Sequence, residues 1–249
     1  MDIFNKKIEL TKSMLIALIL IIGISSCKKD DDDDPNKTTP TTTSGFCYSL
    51  TTSNSAYDTI VGGTEVANLN SDNFYEIDLG FSFSFCDSTF QTMYIMDEAY
   101  VPVLSYVVNQ GYTDASKYEL LPFGSINIES GNSSKLLYKT TGTAGDRITT
   151  IEWRDFTYTE PFTSVNSTFN FQLKLYENGN KVEYHYGAND ITTDFTAVDL
   201  SFLAVGLYSV DSNDGLFLSG NSSSPNTASA TGTNELSAWP TEGTKYLFQ

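Results

Sequence analysis

The chain has 249 residues with 14 Lys and Arg against 31 Asp and Glu, a formal net charge of -17. A polyanion of this kind repels phosphate backbones, and no basic stripe interleaved with aromatics offsets the repulsion, so nucleic acid is not an expected partner. The longest apolar run, residues 14–24, is short of the roughly 20 residues that a membrane-spanning helix needs.

That run sits in a three-part order. Lys6, Lys7 and Lys12 precede it, and small Ser25 and Ser26 follow it, which is the grammar of a cleavable secretory signal. Directly after comes Cys27, then Lys28-Lys29 and five aspartates, Asp30 to Asp34. Residues 35–45 hold Thr, Pro, Ser and Asn with almost nothing apolar, too little to bury a core, so they read as a flexible tether. The expected organisation is a signal peptide over 1–26, an anchor and tether over 27–45, and one folded domain over 46–249. Loss of residues 1–26 removes three lysines and two acids, leaving -18 on the mature part.

Ile24-Ser25-Ser26-Cys27 resembles a bacterial lipoprotein lipobox, with Ser26 where Gly or Ala is commoner. The resemblance implies acylation of Cys27 and cleavage before it; buried acyl carbons contribute about 0.8 kcal/mol each, so two chains or more hold a protein on a membrane. Lys29-Asp30-Asp31 resembles the export signal of Bacteroidota surface lipoproteins. It implies an outer-membrane protein facing outwards at the cell surface.

From residue 46 onwards Tyr, Phe, Val, Ile and Thr abound between Gly, Asn, Asp and Ser, and no segment keeps a helical apolar period. The chain reads as all-β. The clearest strand is 75–85, with Tyr75, Ile77, Leu79, Phe81, Phe83 and Phe85 on one face and Glu76, Asp78, Gly80, Ser82 and Ser84 on the other. Strands are expected at 92–96 and at 100–108, the latter bent or at an edge because Pro102 has no N–H to give. A loop follows at 111–117, then strands at 125–129, 135–140 and 147–158. Phe169, Phe171, Leu173 and Leu175 alternate up to Glu177-Asn178-Gly179-Asn180, and Val182, Tyr184 and Tyr186 resume the pattern, so a hairpin is expected there. Strands at 197–208, 216–219 and 245–248 follow, the last closing a sheet. Many short antiparallel strands imply two packed sheets. Cys47 and Cys86 are left after acylation of Cys27, and an oxidising compartment permits a disulfide between them; two separate buried thiols are the alternative.

The order of Gly80-Phe81-Ser82-Phe83-Ser84-Phe85, Met93-Tyr94-Ile95, Leu121-Pro122-Phe123, Ile151-Glu152-Trp153, Phe171-Gln172-Leu173-Lys174-Leu175-Tyr176-Glu177-Asn178-Gly179 and Val182-Glu183-Tyr184-His185-Tyr186-Gly187 resembles the lectin-like β-sandwich of secreted Bacteroidota proteins. The resemblance implies a jelly-roll or concanavalin-like sandwich used for binding or adhesion. It transfers no catalytic site.

Glu76 and Asp78 share a face and suggest a glycoside hydrolase pair, but the third acid that such a pattern needs is replaced by Phe81. His185, the single histidine, falls by parity on the polar face beside Lys181 and Glu183 and reads as a surface residue. Without it no Ser/His/Asp or Cys/His set can be built, and no cysteine–histidine cluster has zinc spacing. Asp211-Ser212-Asn213-Asp214-Gly215 reads as a tight turn rather than a calcium loop, because the glycine falls one position early and no glutamate closes it. Trp239, with Tyr158 and Tyr186, is the candidate for stacking on sugars. The expectation is a monomeric, non-enzymatic binding or adhesion module, anchored to the membrane through Cys27, with a glycan or surface component as partner. No cofactor is expected, and the Asp- and Asn-rich loops leave room for structural calcium. The alternatives are a glycoside hydrolase at Glu76 and Asp78 or a purely structural envelope lipoprotein.

Overall fold

The computed structural model describes residues 46–66, 74–96, 102–104, 118–123, 128–129, 133–159, 166–192, 203–209, 212–229 and 235–249. All fall within the unit Ser44–Gln249. The signal peptide, Cys27, the tether and the 111–117 loop lie outside the described residues.

Among the described residues the structure is all-β. In chain order the strands are β1 (Leu50–Asn54), β2 (Thr64–Glu65), β3 (Phe74–Phe85), β4 (Ser88–Met96), β5 (Pro102–Leu104), β6 (Tyr118–Leu121), β7 (Ile128–Glu129), β8 (Lys135–Thr141), β9 (Ile148–Thr159), β10 (Asn166–Tyr176), β11 (Val182–Asn189), β12 (Val205–Ser209), β13 (Asp214–Ser219), β14 (Asn226–Ala228) and β15 (Thr244–Phe248). They form a larger sheet in the order β1-β15-β11-β10-β9-β8-β2, with β7 also on β9, and a smaller sheet in the order β14-β13-β12-β6-β5-β4-β3. The strand pairs are antiparallel, and the fold is the expected two-sheet antiparallel β-sandwich.

Two strand expectations are corrected. β5 is paired on both sides, with β4 and β6, so it is no edge strand; Pro102 is tolerated because it is the strand's first residue. β15 does not close the larger sheet, because β1 pairs along its far side from Leu50↔Phe248 to Asn54↔Thr244.

Alternation sets which residues meet inside. Ile77, Leu79, Phe81, Phe83 and Phe85 of β3 pack in one buried cluster with Ile151, Trp153, Phe171, Leu173, Tyr184, Tyr186 and Tyr246 of the larger sheet. At one end Phe123 is the hub, with ring centroids 5.3 Å from Phe171, 5.7 Å from Phe169 and 5.8 Å from Trp153. Buried hydroxyls need acceptors, and here they reach backbone on the other side of the sandwich: Tyr184 Oη donates to the Gly206 carbonyl at 2.8 Å and Tyr186 Oη to that of Pro122 at 2.6 Å. Burial pushes both phenols well above their ordinary pKa.

β3 bends at Gly80. Its register with β4 shifts between Asp78 and Phe83, and Gly80 takes φ +75°, a left-handed conformation that glycine adopts without a Cβ penalty. Asp78 Oδ1 accepts the Gly80 N–H at 2.8 Å. The bend turns the Leu79 carbonyl away from its own sheet, where Thr149 Oγ1 of β9 donates to it at 2.7 Å and Thr140 Oγ1 of β8 at 3.2 Å. Arg147 donates to the Gly80 carbonyl and holds both oxygens of Glu177 through Nε and Nη2. This fork holds the Glu177 carboxyl down at about 2.

The two-residue turn after β3 carries Cys86, bonded to Cys47 with the Cα atoms 5.5 Å apart and 39 positions apart in sequence. Beside it Tyr48 Oη donates to the Asn180 carbonyl at 2.8 Å, and Asn180 Oδ1 accepts the Ser84 N–H at 2.9 Å. The β10–β11 turn is thereby pinned to both. Closing a loop of this length removes unfolded-chain entropy worth about 3–4 kcal/mol. The double variant Cys47→Ser/Cys86→Ser is therefore expected to melt roughly 10 °C lower in a domain of this size, measured by calorimetry under non-reducing conditions. An unchanged melting temperature would show that the bond adds nothing.

Candidate functional site

The aromatics expected to meet a sugar are core residues. Tyr158 and Tyr186 are fully buried, and Trp239 is 5% exposed. Trp239 lies parallel to Phe123 at 6.3 Å, tilted on Phe169 at 4.9 Å and edge-on to Tyr186 at 5.7 Å. Its loop folds back between the sheets through Leu236 N–H to the Leu203 carbonyl at 3.0 Å and a bridge from Gly220 to Leu236, so burial of a large ring outweighs the loop's polar context. Glu76 and Asp78 are exposed on β3, but Asp78 is the acceptor for the Gly80 bend, and Phe81 is in the core. Asn213, with φ +51°, lies in the β12–β13 connection and accepts from Tyr208 Oη at 2.6 Å; Asp211 is outside the described residues. Among the described residues no group of three or more His, Cys, Asp or Glu is placed to hold a metal ion.

His185 requires a different correction. Its parity is as expected, but it is 2% exposed. The outer face of the larger sheet carries a row of polar residues in register: Glu152 on β9 faces Gln172 on β10, Gln172 faces His185 on β11, and His185 faces Lys245 on β15. One step along, Lys174 faces Glu183. Glu152, Gln172, Glu183 and His185 are all buried, and water cannot satisfy them.

Residues 55–63, the link from β1 to β2, cover the row. They meet the strands in order: the Ser55 carbonyl lies 3.3 Å from His185 Nε2 on β11, Gln172 Nε2 on β10 donates to the Asp58 carbonyl at 2.7 Å, Arg154 Nη2 on β9 donates to that of Ile60 at 2.8 Å, and Lys139 Nζ on β8 donates to that of Val61 at 2.7 Å. Glu152 is the centre of this contact. It accepts the Ile60 N–H at 3.0 Å, Tyr57 Oη at 3.2 Å and Arg154 Nη2 at 2.5 Å. Burial, and then the Glu152 carboxylate, push the Tyr57 phenol far above its ordinary pKa. Alongside, Glu183 accepts Lys174 Nζ and Tyr176 Oη, each at 3.0 Å.

The strap has little slack. β1 and β2 are the two ends of the strand order, six spacings apart or about 29 Å at roughly 4.8 Å each. The ten residue steps from Asn54 to Thr64 reach at most about 33–36 Å when extended. The segment must therefore run nearly straight across the strands, which turns its carbonyls towards the side chains beneath. Gly187 lets it lie close, because a Cβ there would stand 2.9 Å from the Tyr57 ring. Side chains from four adjacent strands thus hold an extended main chain, mostly through its carbonyls and with Tyr57 as the one side chain that joins in, and this is the arrangement's chemical capacity.

Sequence reasoning missed Glu152, Arg154, Gln172, Lys174 and Tyr57 as a group. The signal was the shared parity of Glu152, Gln172, Lys174, Glu183 and His185 in three consecutive strands. Removing one partner from a buried charge pair costs several kcal/mol; with Arg154 partly exposed, Glu152→Ala is expected to lose about 2–4 kcal/mol in urea denaturation and to open residues 55–63 to protease. Parent-like resistance in the strap would show that Glu152 does not hold it.

The sequence model of the family described as NIDO related matches residues 47–249. No curated protein and no solved structure matches the chain. The family match covers nearly the whole folded unit, most of the chain, so this chain belongs to the NIDO-related family.

Proposed function

We propose that this protein is a binding or adhesion module, lipid-anchored through Cys27 to the outer membrane and displayed at the cell surface, with a glycan or another envelope component as ligand. The observation that carries the reading is the NIDO-related match along the entire sandwich, which is compatible with an adhesion-type domain. The lipobox-like Ile24-Ser25-Ser26-Cys27, the acidic run and the Thr- and Pro-rich tether support display at a distance from a membrane. The net charge of -17 favours neutral or cationic ligands over anionic ones. A hydrolytic role at Glu76 and Asp78 is disfavoured, because Asp78 is engaged by the backbone and Phe81 holds the position of the missing acid.

Two measurements test this reading. Protease added to intact cells is expected to remove the domain; survival in intact cells with cleavage in lysed ones would place it inside. On a glycan array with and without calcium, the full chain is expected to be retained selectively without releasing products. Product release abolished by Glu76→Gln would instead establish the hydrolase, and silence across the array would refute the glycan ligand.

A further inference from the structure

The start of the strap depends on one protonation state. Lys174 Nζ lies 3.5 Å from His185 Nδ1. An ammonium can only donate, so Nδ1 accepts, and the ring proton sits on Nε2, which points at the Ser55 carbonyl at 3.3 Å. The Tyr57 ring stands edge-on to the imidazole at 5.1 Å. The charged and titratable groups around His185 are Lys174 on β10, Glu183 on its own strand, Lys245 on β15 and Tyr57 of the strap. Glu183 is already engaged by Lys174 and Tyr176. A second ring proton would therefore aim an N–H at an ammonium, with Lys245 in the neighbouring register position, at a ring that is 2% exposed.

We propose that residues 55–63 form a pH-sensitive latch, closed over the polar row while His185 is neutral and released from its Ser55–Tyr57 end through to Ile60 when His185 is protonated. The inference rests on this geometry and not on the ligand proposed above.

The direction follows from linkage. Burial, and then Lys174, hold the His185 pKa below its ordinary value against the Ser55 carbonyl, which raises it; opening the strap admits water, which relieves the burial and screens Lys174, and lets the pKa return towards about 6.5. The open form thus binds the proton more tightly. The latch is at full strength above about pH 6.5 and weakens as the pH falls from there through the lower value of the closed form.

Hydrogen exchange on the full chain tests the latch, read at the Ile60 amide, whose acceptor is buried Glu152, and at core amides such as Leu173. Corrected for intrinsic exchange, Ile60 protection is expected to fall by up to about tenfold per pH unit through the window, while Leu173 stays protected. His185→Gln, neutral throughout, is expected to abolish the dependence. Lys174→Met, which removes the facing ammonium, is expected to weaken it and serves where His185→Gln does not fold. Constant Ile60 protection from pH 7.5 to 5, equal loss at Leu173, or a parent-like dependence in the variants would overturn the latch.

Discussion

The larger sheet is packed on both faces, fully on the inner one and along one polar row on the outer one, and by unlike partners. Its inner face meets the smaller sheet through aromatic and aliphatic side chains, where area removed from water contributes roughly 25 cal/mol per Å². On its outer face a polar row is covered by nine residues of its own chain, so each buried polar group there must find a partner inside the protein or cost a few kcal/mol. That requirement accounts for the side-chain to backbone bonds between the strap and β8 to β11. It also accounts for the glycine at 187, where any Cβ would lift Tyr57 away from Glu152.

The two faces therefore have different thermodynamic characters. The inner face supplies stability without directional demands. A buried ion pair such as Glu152 with Arg154 returns little net stability over an apolar pair, but its failure to form is costly. The strap is consequently held at four carbonyls, those of Ser55, Asp58, Ile60 and Val61, each opposite one side-chain donor. Its ends are unequal as well. β1 pairs over five residues and lies next to the Cys47–Cys86 bond, whereas β2 has two residues and a half-exposed Lys135–Glu65 pair at 2.9 Å, a kind of contact worth well under 1 kcal/mol.

How much was legible in the sequence follows from how local each cause is. β3 and the β10–β11 hairpin are read directly from period-two alternation and from Asn178-Gly179, since both signals lie within a few residues. β1, β2 and β14 carry no such signal: Leu50–Asn54, Thr64–Glu65 and Asn226–Ala228 are short and mostly polar, and they become strands because a neighbour offers its edge. His185 shows the same divide within one residue. Its face was set by parity in its own strand, but its burial is caused by Ser55 and Tyr57, about 130 positions earlier, in a segment without periodicity. Trp239 fails for a related reason, because the Phe123, Phe169 and Tyr186 rings that surround it come from three separate parts of the chain.

Charge ties the strap to the kind of partner the outside can meet. Eight basic residues lie in positions 46–249, and the polar row and strap draw in Lys139, Arg154 and Lys174, with Lys245 beside them. Arg147 is committed to Glu177 and Lys135 to Glu65. Much of a small cationic complement is thus spent on internal contacts, and the carboxylates outside have few neighbours of opposite sign. Such a surface resists self-association and anionic ligands at long range.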